Sequence, residues 1–544
     1  MVVFMREQTK QSFIKGATIL TVVSLTVRVI STLYKLPLFN ILDSPGRGAF
    51  QTTYNVFGLI LALSTAGIPV ALSRLVSSAN AKGDTTLVRR YFSVALPAFS
   101  IVGVIAMLVM FFFAEDLAEL LGGPLAAPGI MVLAPATFFS CIISVYRGYA
   151  QGHENMIPTA ISQIFEVTCK VVIGIAVALW LVSLNYSSDI VSAGAITGVT
   201  VGLGLCIPLL IFYNRKINRS HPSHINTNKA EPPRRLHILK QIVKVSIPIT
   251  LSASFMAAMG LVDNAIILHR LQSALGYTQI EASAAWGVYA LGFSLFTIPQ
   301  AIAVPISITI IPAIAAALAR KQYLQANAIM QTSLKLVNLV AMPAAFILMT
   351  LSKPLLIALY DYDLQFASTM LTLLGAASFF VCLQFITSSI LQANGHERVA
   401  LITFPIGAAV RFVVVYVLSG NPNIAVIASP IGTLICFIII SMLNLAFIKV
   451  RVKQLTKLRS VFIKPLICSL IMGLVGFAAY TGVRQLGYGT LGTGQVATIF
   501  YLFIALIVCA LVYIVFVIFT KVITKEDLAH VPKGEKIARL LRVR

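Results

Sequence analysis

The sequence predicts an all-α integral membrane protein with fourteen transmembrane helices. Of its 544 residues, 58% are hydrophobic and only 11% are charged. Soluble globular proteins average about 45–50% apolar and about 25% charged residues, so the composition excludes that class. A helix that spans a bilayer needs about 20 predominantly apolar residues, and stretches of this kind recur along the whole chain with short connections. The pattern leaves no room for a sizeable soluble domain.

The apolar stretches form two sets of six followed by a final pair. They lie near residues 14–39, 50–76, 88–113, 125–150, 157–184, 190–213, 241–269, 284–318, 327–352, 365–393, 399–419, 424–448, 461–483 and 496–520. The predicted regions are an N-lobe (1–213), a cytoplasmic basic linker (214–240), a C-lobe (241–449), the last two spans (450–520) and a cytoplasmic basic tail (521–544).

Short matches between the two sets of six indicate a duplicated unit. The fourth span ends in QGHE at 151–154 and the tenth in QANGHE at 392–397, so that GHE recurs after 243 residues. Similarly, GIP at 67–69 has a counterpart in AVP at 303–305, 236 residues later. Two six-helix units of equal orientation are related by an axis along the membrane normal, and such transporters place the substrate between the lobes. The alternative is a chance recurrence of short motifs.

The distribution of positive charge predicts the orientation, because Lys and Arg concentrate on the cytoplasmic side of membrane proteins. With the N-terminus inside, the inner segments hold 32 of the 41 Lys and Arg residues, and the outer loops hold Arg47, Arg270, Lys353 and Arg484. Both termini are therefore expected in the cytoplasm. The net charge of +23 follows from this topology and from contact with anionic lipids, so it does not indicate a nucleic-acid partner.

After the cations near the span ends are assigned to the inner segments and outer loops, seven charged residues remain within the predicted spans. They are Arg28, Lys35, Lys170, Lys335 and Arg411, with Glu166 and Asp263 as the two acids. A lipid-facing charge at mid-bilayer costs about 2.5–3.5 kcal/mol, so these side chains are expected to face a wet or protein-lined interior. The excess of cations favours an anionic solute, and the arginine fork suits phosphate oxygens. Arg411 has no acid within reach on its own helix, so it is a candidate substrate-binding residue.

Polar residues form a stripe along the first span. Thr21, Ser24, Arg28, Ser31 and Lys35 recur at steps of three and four, which places them on one helix face. The stripe predicts a cavity wall, with Ser24, Arg28, Ser31 and Lys35 as substrate-binding residues. For Lys35, near the outer end of the span, snorkelling to the surface is an equal alternative.

The other charges within the spans predict ion pairs. Glu166 and Lys170 lie at i and i+4 in the fifth span with the acid first, which is the favourable order for an intrahelical pair. Asp263, in the outer half of the seventh span, is expected to pair with Arg270 or, as a gate contact, with Arg28.

No motif indicates an enzyme, a metal site or a bound cofactor. The chain lacks the phosphate-cradling GxxxxGK[ST] loop and the HExxH zinc motif. Asp361 and Asp363 stand without the further acids that a magnesium-diphosphate site would use. The sequence therefore favours a transporter.

The most specific motifs lie between Asp43 and Asp84. This stretch contains GIP at 67–69 with Ser73, followed by KGD at 82–84, and the QGHE turn comes after span four. With the arrangement of six, six and two spans, these motifs resemble the polysaccharide-flippase branch of the multidrug/oligosaccharidyl-lipid/polysaccharide exporter superfamily. The resemblance is to its stage V sporulation protein B-like and lipid II flippase (MurJ-like) members, and it covers essentially the whole chain.

The resemblance implies two lobes that rock between inward- and outward-open states. It implies that they move an undecaprenyl-pyrophosphate-linked glycan from the inner to the outer leaflet of a bacterial plasma membrane, as a monomer without a cofactor. It places Arg28 where lipid II flippases carry an essential first-span arginine. Those flippases also carry cations in spans two and eight, whereas residues 51–73 and 282–319 contain none here, so the cargo can be another lipid-linked glycan.

Two alternatives remain open. A multidrug antiporter that exchanges organic cations for sodium or protons needs carboxylates in its cavity, and only Asp263 and Glu166 are available. A membrane enzyme that acts on polyprenyl phosphates needs the acidic metal motif that the chain lacks.

Overall fold

The computed structural model describes the parts of the chain from the first predicted span to the last. These are residues 22–23, 26–27, 29–31, 33–65, 67–81, 83–153, 155–220, 234–319, 321–360, 365–452, 458–492 and 494–520. Ser24 and Arg28 of the predicted substrate-binding set lie outside the described residues. The chain divides into two compact units, Met1–Gly287 and Val288–Arg544.

The described part of the first unit is helical. Its helices are α1 (Lys35–Ile41), α2 (Ser44–Thr65), α3 (Ile68–Ala81), α4 (Thr85–Phe112), α5 (Ala114–Leu120), α6 (Ala127–Gly152), α7 (Ile157–Ser183), α8 (Ser188–Ser220), α9 (Arg235–Leu275) and the beginning of α10 (Gln279–Ala319). Helices satisfy their own backbone hydrogen bonds, which is the condition for crossing hydrocarbon.

The second unit contains the remainder of α10 and seven further α-helices among its described residues. They are α11 (Tyr323–Thr350), α12 (Ser352–Tyr360), α13 (Gln365–Ala393), α14 (Ala400–Leu418), α15 (Ala428–Arg451), α16 (Leu458–Leu491) and α17 (Gln495–Phe519).

The helices coincide with the predicted spans. Eleven helices in the described residues are long and apolar enough to cross a membrane, and shorter apolar helices at Val29–Ile41 and Ile402–Leu418 match the first and eleventh predicted spans. The seventh predicted span lies within α9. The all-α membrane fold is therefore confirmed, while the count of fourteen spans stays a prediction.

Helix α9 packs inside the first unit. Asn264 Nδ2 donates a hydrogen bond to Thr52 Oγ1 of α2 at 2.9 Å, and both side chains are fully buried. Gln272 Nε2 donates to the carbonyl oxygen of Gly122 at 2.5 Å. The hydropathy pattern predicts a C-lobe that begins at residue 241, whereas the compact division keeps α9 with the helices before it. The lobe boundaries and the internal repeat stay predictions.

Two carboxylates fix helix starts in the first unit. Asp84 accepts a hydrogen bond from the Leu87 amide at 3.0 Å where α4 begins. Asp43 accepts one from the Gly46 amide at 2.9 Å where α2 begins, and it also accepts the hydroxyl of Ser188 at the start of α8. Each carboxylate satisfies an amide that the first turn of a helix leaves unpaired.

The GIP motif at 67–69 coincides with a break between α2 and α3. A Cβ atom at Gly67 would lie 2.4 Å from the carbonyl oxygen of Ser246 on α9, so the close approach of α9 requires glycine. Pro69 lies in the first turn of α3, where its missing N–H removes no helix hydrogen bond. The motif thus shapes the packing of α2, α3 and α9.

Candidate functional site

Glu166 on α7 forms an ion pair with Arg147 on the neighbouring α6. Arg147 Nη2 lies 2.9 Å from Glu166 Oε2, and Arg147 Nε donates to Ser162 Oγ at 2.9 Å. The predicted pairing of Glu166 with Lys170 is therefore wrong. The guanidinium fork bonds two groups that lie one helical turn apart on α7 at the same time, which a single ammonium group does not match.

The Lys170 ammonium lies instead between two aromatic rings. Its Nζ atom is 4.8 Å from the ring centroid of Tyr34 and 5.2 Å from that of Tyr54. An aromatic face attracts a cation by about 0.5–2 kcal/mol, with the larger values at desolvated sites. Because the rings hold the ammonium without accepting its N–H bonds, these donors stay available to a ligand.

Lys35, the first residue of α1, lies close to Lys170. Tyr34, which precedes Lys35, contacts the Lys170 ammonium through its ring, and the two positive charges are near enough to repel each other. The hydroxyls of Tyr34 and Tyr54 are close neighbours, and Gln51 Oε1, one turn before Tyr54 on α2, makes no hydrogen bond within the described residues. We call Tyr34, Lys35, Gln51, Tyr54 and Lys170 the lysine–tyrosine site.

The lysine–tyrosine site is suited to an oxyanion. In the part of the chain that the structure describes, neither Lys35 nor Lys170 forms an ion pair, and Glu166, one turn from Lys170, is bonded to Arg147. Two ammonium groups in a partly buried site repel each other and lose hydration, and an anion bound between them would relieve both effects. The ammonium N–H groups are donors that oxyanions accept.

The other predicted substrate-binding residues are not among those that define the lysine–tyrosine site. Ser31 is half-buried in a helical segment at 29–31, and Ser24 and Arg28 are outside the described residues. Arg411 on α14 is only 6% exposed, and its Cγ would lie 3.3 Å from a Cβ placed on Gly432 of α15. Arg411 is thus buried between two helices of the second unit, and its substrate-binding role stays a prediction.

The predicted gate residues lie on α9. Asp263 is 1% exposed and precedes Asn264, whose side chain bonds Thr52. Arg270 follows two turns later and is half-buried. The pairing of Asp263 with Arg270 or Arg28 stays a prediction.

Sequence reasoning missed Gln51, Tyr54 and Tyr34 because it considered charged residues first. A signal was present, since Gln51 and Tyr54 lie three residues apart on one face of the second span, which has no cation at residues 51–73. This span contributes polar and aromatic groups to the site, and the positive charge comes from α1 and α7.

Comparison with known protein families identifies the chain. The family model described as polysaccharide biosynthesis protein matches residues 13–318, more than half of the chain. The chain belongs to this family. A second family model, MatE, matches residues 248–417.

Individual relatives and solved structures agree with this assignment. The chain is 26% identical over 531 residues to the uncharacterized membrane protein YabM of Bacillus subtilis (strain 168), covering 97% of each chain. It is 24% identical to stage V sporulation protein B of the same organism, covering 75% of this chain and 78% of that protein. The fold matches lipid II flippase MurJ in an inward closed conformation with a TM-score of 0.63 at 16% identity, covering 94% of this chain and 98% of that structure.

These findings define the class of the protein. The two family models and the similarity to stage V sporulation protein B place the chain among the multi-pass membrane transporters of the MOP superfamily, and the fold shared with MurJ and with transporters of the MATE family agrees. The sequence-based resemblance to this superfamily is therefore confirmed.

Proposed function

We propose that the protein is a flippase that moves an undecaprenyl-diphosphate-linked glycan from the inner to the outer leaflet of a bacterial cell membrane by alternating access. In this role it acts as a transporter and not as an enzyme, and both termini are cytoplasmic. The similarity to stage V sporulation protein B and the fold of a lipid II flippase support this class of cargo.

The observation that carries the proposal is the pair of lysines in the lysine–tyrosine site. Lys35 and Lys170 bring two positive charges together at membrane depth, and the nearby Glu166 is neutralised by Arg147. A diphosphate brings two adjacent acidic groups, so it matches this charge pair better than a neutral or cationic solute does. Arg28 stays a predicted further phosphate contact.

The second candidate function is an antiporter for organic cations. The burial of Asp263 favours it, because a buried carboxylate on α9 is the kind of group that binds a cation and titrates with a coupling ion. The lysine–tyrosine site contains no carboxylate and argues for the flippase.

Transport of a labelled cargo tests the proposal. Purified protein in proteoliposomes is given a fluorescent polyprenyl-diphosphate glycan, and its transfer between leaflets is followed with a membrane-impermeant quencher. We expect Lys170→Gln and Lys35→Gln each to lower the transfer rate about tenfold or more, because each removes a charge-assisted contact of about 1.5–3 kcal/mol.

Arg215→Gln is the matched control, since Arg215 is an exposed cation near the end of α8 in the same unit. It should transfer the glycan at the wild-type rate. Failure of the wild type to move the diphosphate-linked glycan, or wild-type rates in both lysine variants, would refute the proposal. Uptake of an organic cation that is lost in Asp263→Asn would establish the antiporter instead.

A further inference from the structure

A polar cavity lies in the second unit, where α11 ends and α12 begins, against α13 and α16. Its volume is about 450 Å³. Its polar lining includes two cations and several hydroxyl groups, among them Lys353, Arg484, Ser352, Ser368, Thr372 and Tyr480.

The charge of this cavity favours an anion. Lys353 and Arg484 are both exposed, and the lining residues that the structure describes include no carboxylate. Hydrogen bonds fix the positions of two of the hydroxyls. Thr372 Oγ1 lies 3.0 Å from Ser352 Oγ and 2.9 Å from the carbonyl oxygen of Ser368. Ordered hydroxyls beside an ammonium and a guanidinium are the groups that bind phosphate oxygens.

An apolar surface on α16 leads into the same cavity. Leu466, Leu470, Leu474 and Phe477 recur at steps of three and four, and each is between 45% and 60% exposed. Phe477 lines the cavity, and Arg484 follows it two turns further along the helix. In a bilayer such a stripe contacts hydrocarbon chains. A ligand that has both a phosphate and a chain would therefore use both surfaces.

We infer that this cavity binds the phosphate group of a membrane lipid, whose hydrocarbon chain lies along the exposed stripe of α16. Lys353 and Arg484 are two of the four cations that the charge distribution assigns to the outer loops, so the lipid would belong to the outer leaflet. The site lies wholly in the second unit and does not depend on the identity of the transported cargo.

Lipid binding to the full-length protein tests this inference. Purified protein is titrated with phosphatidic acid, and in parallel with diacylglycerol of the same acyl chains, and bound lipid is counted by native mass spectrometry. We expect tight binding of phosphatidic acid alone. The double variant K353Q/R484Q should lower its affinity about tenfold or more, and K353R/R484K, which keeps both charges, should retain it.

The matched control is R398Q/K449Q, which removes two exposed cations of the same unit away from the cavity. It should bind phosphatidic acid as the wild type does. If K353Q/R484Q bound phosphatidic acid with the wild-type affinity, or if diacylglycerol bound as tightly as phosphatidic acid, the inference would be overturned. Displacement of the lipid by inorganic phosphate at the same concentration would show that the chain is not recognised and would overturn the lipid assignment.

A second measurement keeps the inference testable if the charge variants are unstable. Phosphatidic acid with a photoreactive group near its phosphate is cross-linked to the wild-type protein, and the labelled peptides are mapped. Labels should fall within 350–373 or 477–484, and labels confined to other segments would contradict the site.

Discussion

At the scale of single residues, the choice of one ion-pair partner determines the charge of the lysine–tyrosine site. Glu166 has a lysine one turn away on its own helix, which is why its sequence predicts an intrahelical pair. Arg147 reaches the same carboxylate from α6 and leaves Lys170 between two tyrosine rings. Partners from another helix depend on packing, so spacing along one helix does not reveal them.

A double-mutant cycle tests this choice of partner. Arg147→Gln and Glu166→Gln should each lower the apparent melting temperature. The double variant should lose less stability than the two single variants together, because both substitutions remove the same ion pair. With exposed fractions of 17% and 32%, the pair is partly hydrated, and we expect a coupling of about 1 kcal/mol. In the parallel cycle of Glu166→Gln with Lys170→Gln, no coupling is expected. Coupling found only in that second cycle would support the intrahelical pair of Glu166 with Lys170 instead.

The tyrosine rings give a second prediction at this scale. If the face of Tyr54 holds the Lys170 ammonium, Tyr54→Phe keeps the attraction and Tyr54→Leu removes it. We expect cargo binding to be nearly unchanged in Tyr54→Phe and several-fold weaker in Tyr54→Leu, in line with about 0.5–2 kcal/mol for such a contact. Binding of the diphosphate-linked glycan to each purified variant provides the measurement. Equal loss in both variants would show that the hydroxyl, and not the ring, is used.

At the scale of elements, hydropathy predicted the long helices but not the short ones beside them. The helices α5 and α12 follow directly on α4 and α11 after a single residue, Phe113 or Leu351. Helix α12 is largely apolar, whereas three of the seven residues of α5 are acidic, and both short helices contain buried residues. Their separate existence depends on tertiary packing, which a window average along the chain does not contain.

Close packing between α2 and α10 gives a prediction about an element pair. A Cβ atom on Gly48 would lie 2.0 Å from the carbonyl oxygen of Ser283, and one on Gly287 would lie 1.9 Å from that of Ser44. Both contacts are within the first unit. Gly48→Ala therefore forces the start of α10 away from α2, and we expect a destabilisation of about 1–3 kcal/mol, measured as a lower apparent melting temperature.

Gly58 on the same helix provides the control, since a Cβ atom there would meet nothing within 4 Å. Gly58→Ala should leave the melting temperature unchanged or raise it slightly, because alanine favours the helix. If both alanine variants unfold at the wild-type temperature, α10 does not pack on α2 as the structure has it.

At the scale of the whole molecule, composition alone predicted the all-α membrane fold, and the motifs between Asp43 and Asp84 predicted the superfamily. The candidate site was predicted less completely. Lys35 was identified from the polar stripe of the first span, whereas Lys170 was assigned to an ion pair and the tyrosines were not considered. Burial and contacts between helices determine which polar groups share a site, and the spacing of residues along the sequence reveals neither of them.

Orientation in the membrane is the remaining prediction at this scale. It determines on which side of the bilayer each of the two proposed binding sites lies. With the N-terminus inside, the loop after span five and the end of α16 face outward, and the turn between α10 and α11 faces the cytoplasm. Ser187, Gln485 and Gln322 are exposed in these three places. In a variant whose native cysteines are replaced, Ser187→Cys and Gln485→Cys should react with a membrane-impermeant maleimide on intact cells. Gln322→Cys should react only after permeabilisation, and the reverse pattern would place the cavity at Lys353 and Arg484 in the cytoplasm.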